Sequence, residues 1–230
     1  MQVETDADPR WVAGLAGCSA EAARDALGWA RERESLYRHL DREHRREGRS
    51  SYVEIDAPLE LLALVRLKRP RHVIEVGVSS GVSSAYLLEG LAANRCGTLH
   101  SVDLPKKLRP GADPKRASWS LPDGRASGWA VPAALRPRWD LRLGDKRDLV
   151  PLLAEEIDPI DMVVYDVPHD DREAFAEFRS VDAHFPRGAV AIADHGPGGG
   201  LCAALKRWAG RRNATPIRRT DLGLFGFRAR

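Results

Sequence analysis

A chain of 230 residues, 43% of them hydrophobic, is long enough to bury one substantial core, and 36 Lys and Arg against 33 Asp and Glu leave a formal charge of only +3. The basic residues are dispersed among acids, which argues against a dedicated nucleic-acid binder; Cys18, Cys96 and Cys202 show no Cys-x-x-Cys spacing and suggest neither a disulfide framework nor a structural zinc site. The start, MQVETDADPRW, has no basic stretch leading into an apolar one, and no apolar run approaches the roughly 20 residues that span a bilayer, so a soluble, cytoplasmic protein in a reducing compartment is expected.

Residues 20–47 carry Leu27, Trp29, Leu36, Tyr37 and Leu40 among many charges and read as one long helix with a narrow apolar stripe, a surface that makes a homodimer reasonable. Asp56 before Pro58 is an N-cap signal for a helix over LELLALVRL that stops before Pro70. Strand HVIEVG (72–77), a helix from Gly81 to Asn94 and strand TLHSVD (98–103) follow. After an irregular segment come strand WDLRLG (139–144), helix DLVPLLAEE, strand DMVVYD (161–166), helix DREAFAEFRSVDAHF, strand AVAIAD (189–194) and helix LCAALKRWAG. These strands are continuous apolar runs, as expected where helices cover both faces of a parallel sheet, so the pattern is doubly wound α/β. ATPIRRT and LGLFGFRAR have no helix between them and predict a closing antiparallel strand. Residues 1–55 form an N-terminal helical extension in this reading, and 56–230 the main domain. Residues 104–138, rich in Pro, Gly, Lys and Arg and carrying Trp119 and Trp129, are too long for an ordinary connection and read either as a lid or as a surface excursion that its tryptophans anchor.

The strongest local signal is IEVGVSSGVSSAYLL, residues 74–88. A strand ends near Glu75, Gly77 and Gly81 permit a tight turn, and the free N–H groups of the following helix favour a negatively charged group. The spacing E-x-G-x-x-x-G lacks the closely set glycine pair of the dinucleotide fingerprint, which lowers the case for NAD. Asp103 ends the next strand, 22 positions beyond Gly81, where an acid can accept hydrogen bonds from both hydroxyls of a ribose. Gly144 and Asp145 end the third strand, where Asp145 meets an adenine edge or simply caps a helix.

With the acid-terminated strands and the closing strand pair, these residues resemble class I S-adenosylmethionine-dependent methyltransferases, most closely the O-methyltransferases of the catechol, caffeoyl-CoA and bacterial natural-product type. The resemblance runs from about Asp56 to Phe227 and implies a mostly parallel, seven-stranded Rossmann-like sheet. It further implies that Glu75, Gly77, Ser79, Gly81 and Ser83 surround the methionine part of the cofactor, with Ser83 at its carboxylate, Asp103 at the ribose and Asp145 at the adenine. The acceptor would be a hydroxyl of a small molecule, phenolic, catechol or sugar-like. An N-methyltransferase, or less readily a tRNA or rRNA methyltransferase prompted by KKLRP, DPKR and KRWAGRRN, is the alternative.

Strands four and five end on Asp166 and Asp194, and ligands of open parallel sheets bind beyond such ends. A divalent cation would take oxygen donors there and lower the pKa of an acceptor hydroxyl. By the resemblance, Asp166, Asp194 and His195 would hold that metal and His169 would act as general base beside Asp166. His195 stands where that family carries Asp or Asn; imidazole is a poor magnesium ligand and a good one for manganese, iron or cobalt, so either the metal differs or His195 is itself a base. Asp170 and Asp171 read as first-turn acids favoured by a helix dipole, and GPGGG after His195 leaves room for a substrate.

Overall fold

The computed structural model describes residues 7–47, 58–104, 121–167, 171–194, 200–219 and 224–230. Its sheet has five parallel strands, β1 (His72–Val76), β2 (Thr98–Asp103), β3 (Trp139–Leu143), β4 (Met162–Tyr165) and β5 (Val190–Asp194). An antiparallel pair, β6 (Ile217–Arg218) and β7 (Leu224–Arg228), completes seven strands among the described residues in the order β3-β2-β1-β4-β5-β7-β6. The predicted doubly wound sheet with an antiparallel close is therefore the fold. Its order reverses between β1 and β4, which opens a crevice at their C-terminal ends.

Alternate residues divide the core in two. Val73, Leu99, Met162, Val164 and Ile192 face α1 (Pro9–Ala16), α2 (Ala20–Arg31), α3 (Glu34–Arg46), α4 (Pro58–Lys68) and α5 (Val82–Asn94). Ile74, Val76, Val102, Val163 and Ala193 face α6 (Lys146–Glu156), α7 (Asp171–Val181) and α8 (Gly200–Arg211). Helix α4 lies against α1, α2 and α5, and Leu59, Leu61, Leu62, Leu64 and Val65 are all buried, as a helix apolar on every side must be.

The long helix expected over 20–47 is two helices. Its buried stripe, Ala23, Leu27, Ala30, Tyr37, Leu40 and His44, would bring Arg33 or Glu34 into the core if the helix ran straight. The chain breaks there instead, and the Tyr37 hydroxyl donates to the Ala30 carbonyl at 2.6 Å. Of the residues that suggested a dimer, Leu27, Leu36, Tyr37 and Leu40 are buried within the chain and Trp29 is partly buried.

Helix α1 has local causes: Asp8 accepts the N–H of Arg10 at 2.8 Å, Pro9 stands in the first turn and Gly17 ends the helix at φ +72°. Its Trp11 indole donates to the Ile217 carbonyl at 3.3 Å, so the N-terminal segment packs on the sheet and shares its core. No helix among the described residues is long and apolar enough to cross a membrane.

Candidate active site

Between β1 and α5 the chain passes through three left-handed residues, Gly77 (φ +96°), Ser79 (φ +46°) and Gly81 (φ +88°). A Cβ on Gly77 would stand 2.2 Å from the Asp166 carbonyl oxygen, and one on Gly81 2.6 Å from Val131 Cγ2. Ser79 holds a conformation that costs about 1–3 kcal/mol. It is held there from both sides: its N–H donates to Asp103 Oδ2 at 3.1 Å, and its carbonyl accepts the N–H of Gly128 at 2.8 Å. The carbonyl of Ser80 likewise accepts the N–H of Ala130 at 3.0 Å. Gly81 brings no side-chain cap to α5, so the dipole of that helix start is left to favour an anionic group.

Glu75 is buried directly beneath this turn. Ser83 donates to its Oε1 at 2.7 Å, and Ser84 and Ser101 donate to its Oε2 at 2.6 Å each. Trp139 Nε1 donates to Ser101 Oγ at 2.8 Å and extends the chain to β3. Glu75 and Ser83 thus turn their polar atoms on one another and form the frame of the turn. What Ser83 offers a ligand is its first-turn backbone N–H.

The registers Val76 with Val102, Val76 with Tyr165, and Tyr165 with Ala193 place the next residues in one row along the C-terminal edge: Asp103, Gly77, Asp166, Asp194. The N–H of Gly77 to Val102 O (3.0 Å) and of Asp166 to Val76 O (2.9 Å) continue the ladder into that row. Adjacent strands lie about 4.8 Å apart, so the backbones of Asp166 and Asp194 are neighbours while Asp103 stands roughly 10 Å from Asp166, across the glycine. Burial pushes the Asp103 carboxyl above its ordinary range; the Ser127 hydroxyl and the N–H groups of Leu104, Ser79 and Val78 oppose that rise. Asp145 caps α6 through the N–H of Arg147 at 3.0 Å and holds the Arg147 guanidinium at 2.6 Å, the capping alternative of the sequence reading. Asp171 opens α7 and pairs with Arg207 at 3.0 Å.

His169, Asp170, His195 and Trp119 lie outside the described residues, as do the basic stretches KKLRP and DPKR. Among the described residues no group of three or more His, Cys, Asp and Glu side chains is arranged to hold a metal. Asp166 and Asp194 are two donors of the oxygen type that hard divalent cations take, and among the described residues no third His, Cys, Asp or Glu side chain joins them.

The described part of 104–138 lies on the turn. Trp129 packs against the core with its ring 5.0 Å from that of His44, and Arg125 pairs with Glu47 of the residue following α3. Trp129 therefore anchors this segment. Sequence reasoning passed over Ser84, Ser101, Ser127 and His44. The hydroxyl run SSGVSS was a signal for the first; the others meet the turn only through tertiary packing.

The geometry has counterparts among known proteins. A family profile described as a methyltransferase domain matches residues 74–195, more than half of the chain, from the strand that carries Glu75 to the position after Asp194. No curated protein sequence matches the chain. Among solved structures, the O-methyltransferase TomG from Streptomyces achromogenes, in complex with SAM, is 19% identical with a TM-score of 0.57, over 85% of this chain and 89% of its own. The O-methyltransferase from Bacillus cereus, in complex with SAH, is 16% identical with a TM-score of 0.53, over 89% of this chain and 90% of its own. CalS11, a TDP-rhamnose 3'-O-methyltransferase of calicheamicin biosynthesis, is 17% identical with a TM-score of 0.53, over 74% of this chain and 78% of its own. These likenesses carry the fold, and the profile match carries the family: the chain belongs to the methyltransferase-domain family.

Proposed function

We propose that this protein is an S-adenosylmethionine-dependent O-methyltransferase that modifies a hydroxyl of a small molecule of phenolic, catechol or sugar type. One observation carries the reading. The glycine turn and Asp103 stand on one side of Gly77 and two further carboxylates on the other, so a nucleoside held over the turn would have its reactive end beside Asp166 and Asp194. The SAM bound to TomG, an enzyme of tomaymycin synthesis, the SAH bound to the Bacillus cereus enzyme and the TDP-rhamnose acceptor of CalS11 support that cofactor and a small-molecule acceptor, and natural-product chemistry in the cytoplasm is part of the proposal.

In this reading Gly77, Ser79, Gly81 and Ser83 meet the methionine part through backbone groups, with Glu75 as their frame. Asp103, already short of water, accepts the ribose hydroxyls, and Asp145 borders the adenine. When bound, S-adenosylmethionine supplies a methyl group on a sulfonium, open to in-line attack by an oxygen. Asp166 orients the acceptor hydroxyl, and His169, three residues further along the chain, takes its proton. Asp166 and Asp194, with His195 as third donor, would hold a divalent cation, magnesium or, given the imidazole, manganese, iron or cobalt, whose chemistry is to acidify a bound hydroxyl.

Incubation with methyl-labelled S-adenosylmethionine and a panel of catechols, phenols, sugars, amines and tRNA, with chelator or with added magnesium or manganese, tests the proposal. Label in a hydroxyl acceptor is expected. Label confined to amines or RNA, or no calorimetric heat with S-adenosylhomocysteine, overturns it.

A further inference from the structure

A histidine from the N-terminal helices reaches the turn. His44, in the last turn of α3, is 1% exposed. Its Nδ1 lies 2.7 Å from the Leu40 carbonyl, which only accepts, so Nδ1 carries a hydrogen. Its Nε2 lies 3.1 Å from Ser80 Oγ, in the middle of the glycine turn, and the tautomer with its hydrogen on Nδ1 leaves Nε2 as an acceptor for the serine hydroxyl. The same helix holds the segment on the other side of the turn: His39 Nε2 donates to the Ala130 carbonyl at 3.1 Å, and the Trp129 ring stacks at a tilt on His44. Ala130 in turn donates its N–H to the Ser80 carbonyl. Ser80 is thus gripped at its side chain by α3 and at its backbone by a segment that α3 also holds.

We propose that His44 is a positioning residue for cofactor binding, acting through Ser80 to keep the turn in its left-handed, ligand-competent form. The inference rests on the methyltransferase reading of that turn. Three left-handed residues in a row of five give the turn other forms to relax into, and a cofactor binds only the fraction of molecules that hold the right one. His44 raises that fraction without touching the reacting atoms.

The test is calorimetry with S-adenosylhomocysteine on the full chain for His44→Ala, His44→Gln, Ser80→Ala and the double variant, with steady-state kinetics and thermal midpoints alongside. Loss of the hydrogen bond is expected to weaken binding about tenfold and to raise KM for S-adenosylmethionine by a similar factor, with kcat at saturation held within about twofold. His44→Gln, whose amide oxygen accepts from Ser80, restores part of the affinity. The double variant is no weaker than the weaker single one, because both remove one interaction. Affinity unchanged in a folded His44→Ala, or losses that add in the double variant, overturns the proposal. If His44→Ala does not fold, Ser80→Ala removes the same bond from the turn and decides the matter. Wild-type protein that binds no S-adenosylhomocysteine would instead refute the methyltransferase reading itself.

Discussion

Ser79 donates its backbone N–H to Asp103 Oδ2 at 3.1 Å, so the acid at the end of β2 is also a strut of the glycine turn. Removing it deletes the acceptor proposed for the ribose and loosens the strained Ser79. Asp103→Ala is expected to weaken S-adenosylhomocysteine about tenfold to a hundredfold, the loss of hydrogen bonds to a charged group, and Asp103→Asn to weaken it less. Isothermal calorimetry measures both, and equal affinities in wild type and Asp103→Ala would contradict the assignment.

Gly77 and Gly28 make a matched pair for stability. A Cβ on Gly77 meets backbone at 2.2 Å and φ is +96°, whereas a Cβ on Gly28, inside α2, meets nothing within 4 Å. Gly77→Ala is therefore expected to destabilise the fold by about 3 kcal/mol or more, and Gly28→Ala to stabilise it by about 0.5–1 kcal/mol. Urea midpoints of opposite displacement from wild type are the readout.

What the sequence disclosed follows the range of the forces involved. The five parallel strands were legible to within a residue, as 72–77 against His72–Val76, because a buried parallel strand is a continuous apolar run between breakers, whereas ATPIRRT and LGLFGFRAR overran Ile217–Arg218 and Leu224–Arg228. Asp103, Asp166 and Asp194 were legible as strand-end acids because in such sheets position along the strand already gives position in the crevice. The break between α2 and α3 was missed because charge at Arg33 and Glu34 interrupts a stripe that otherwise keeps helical spacing on both sides. Helix α1 was passed over although Asp8 and Pro9 are a local start signal. The inward turn of Ser83 was not legible at all: it depends on a Glu75 carboxylate also gripped by Ser101, 26 residues away on another strand.

Stability should depend on pH through Glu177, which no motif singled out. It is 3% exposed between α6 and α7, and burial pushes its pKa from 4.5 to about 7 although Lys146 donates to it at 2.9 Å. The folded state thus holds this proton more tightly than the unfolded chain. The stabilisation is complete below about 4.5 and is lost as pH rises through about 7, a fall on the order of 3 kcal/mol across that window. Glu177→Gln, which cannot ionise, should flatten the profile between those limits. Urea titrations at a series of pH values measure it, and parallel profiles for wild type and variant would assign the slope to other groups.

The separation along the strand-end row predicts a division of labour in kinetics. Asp166 and Asp194 stand beside each other, with Asp103 beyond Gly77 at roughly 10 Å from Asp166, too far for one small ligand atom to meet both sets. Asp166→Asn and Asp194→Asn keep shape and remove charge where, in the proposed reading, the acceptor hydroxyl loses its proton. Each should lower kcat about a hundredfold or more while S-adenosylhomocysteine affinity stays within about twofold, because the lost interaction forms only on the way to methyl transfer. A chelator should reproduce that pattern in wild type and add little in either variant if the pair holds a cation, and should leave wild type untouched if Asp166 and Asp194 act on the hydroxyl directly. Variants that lose cofactor affinity and turnover together would place these acids in the nucleoside pocket and break the division.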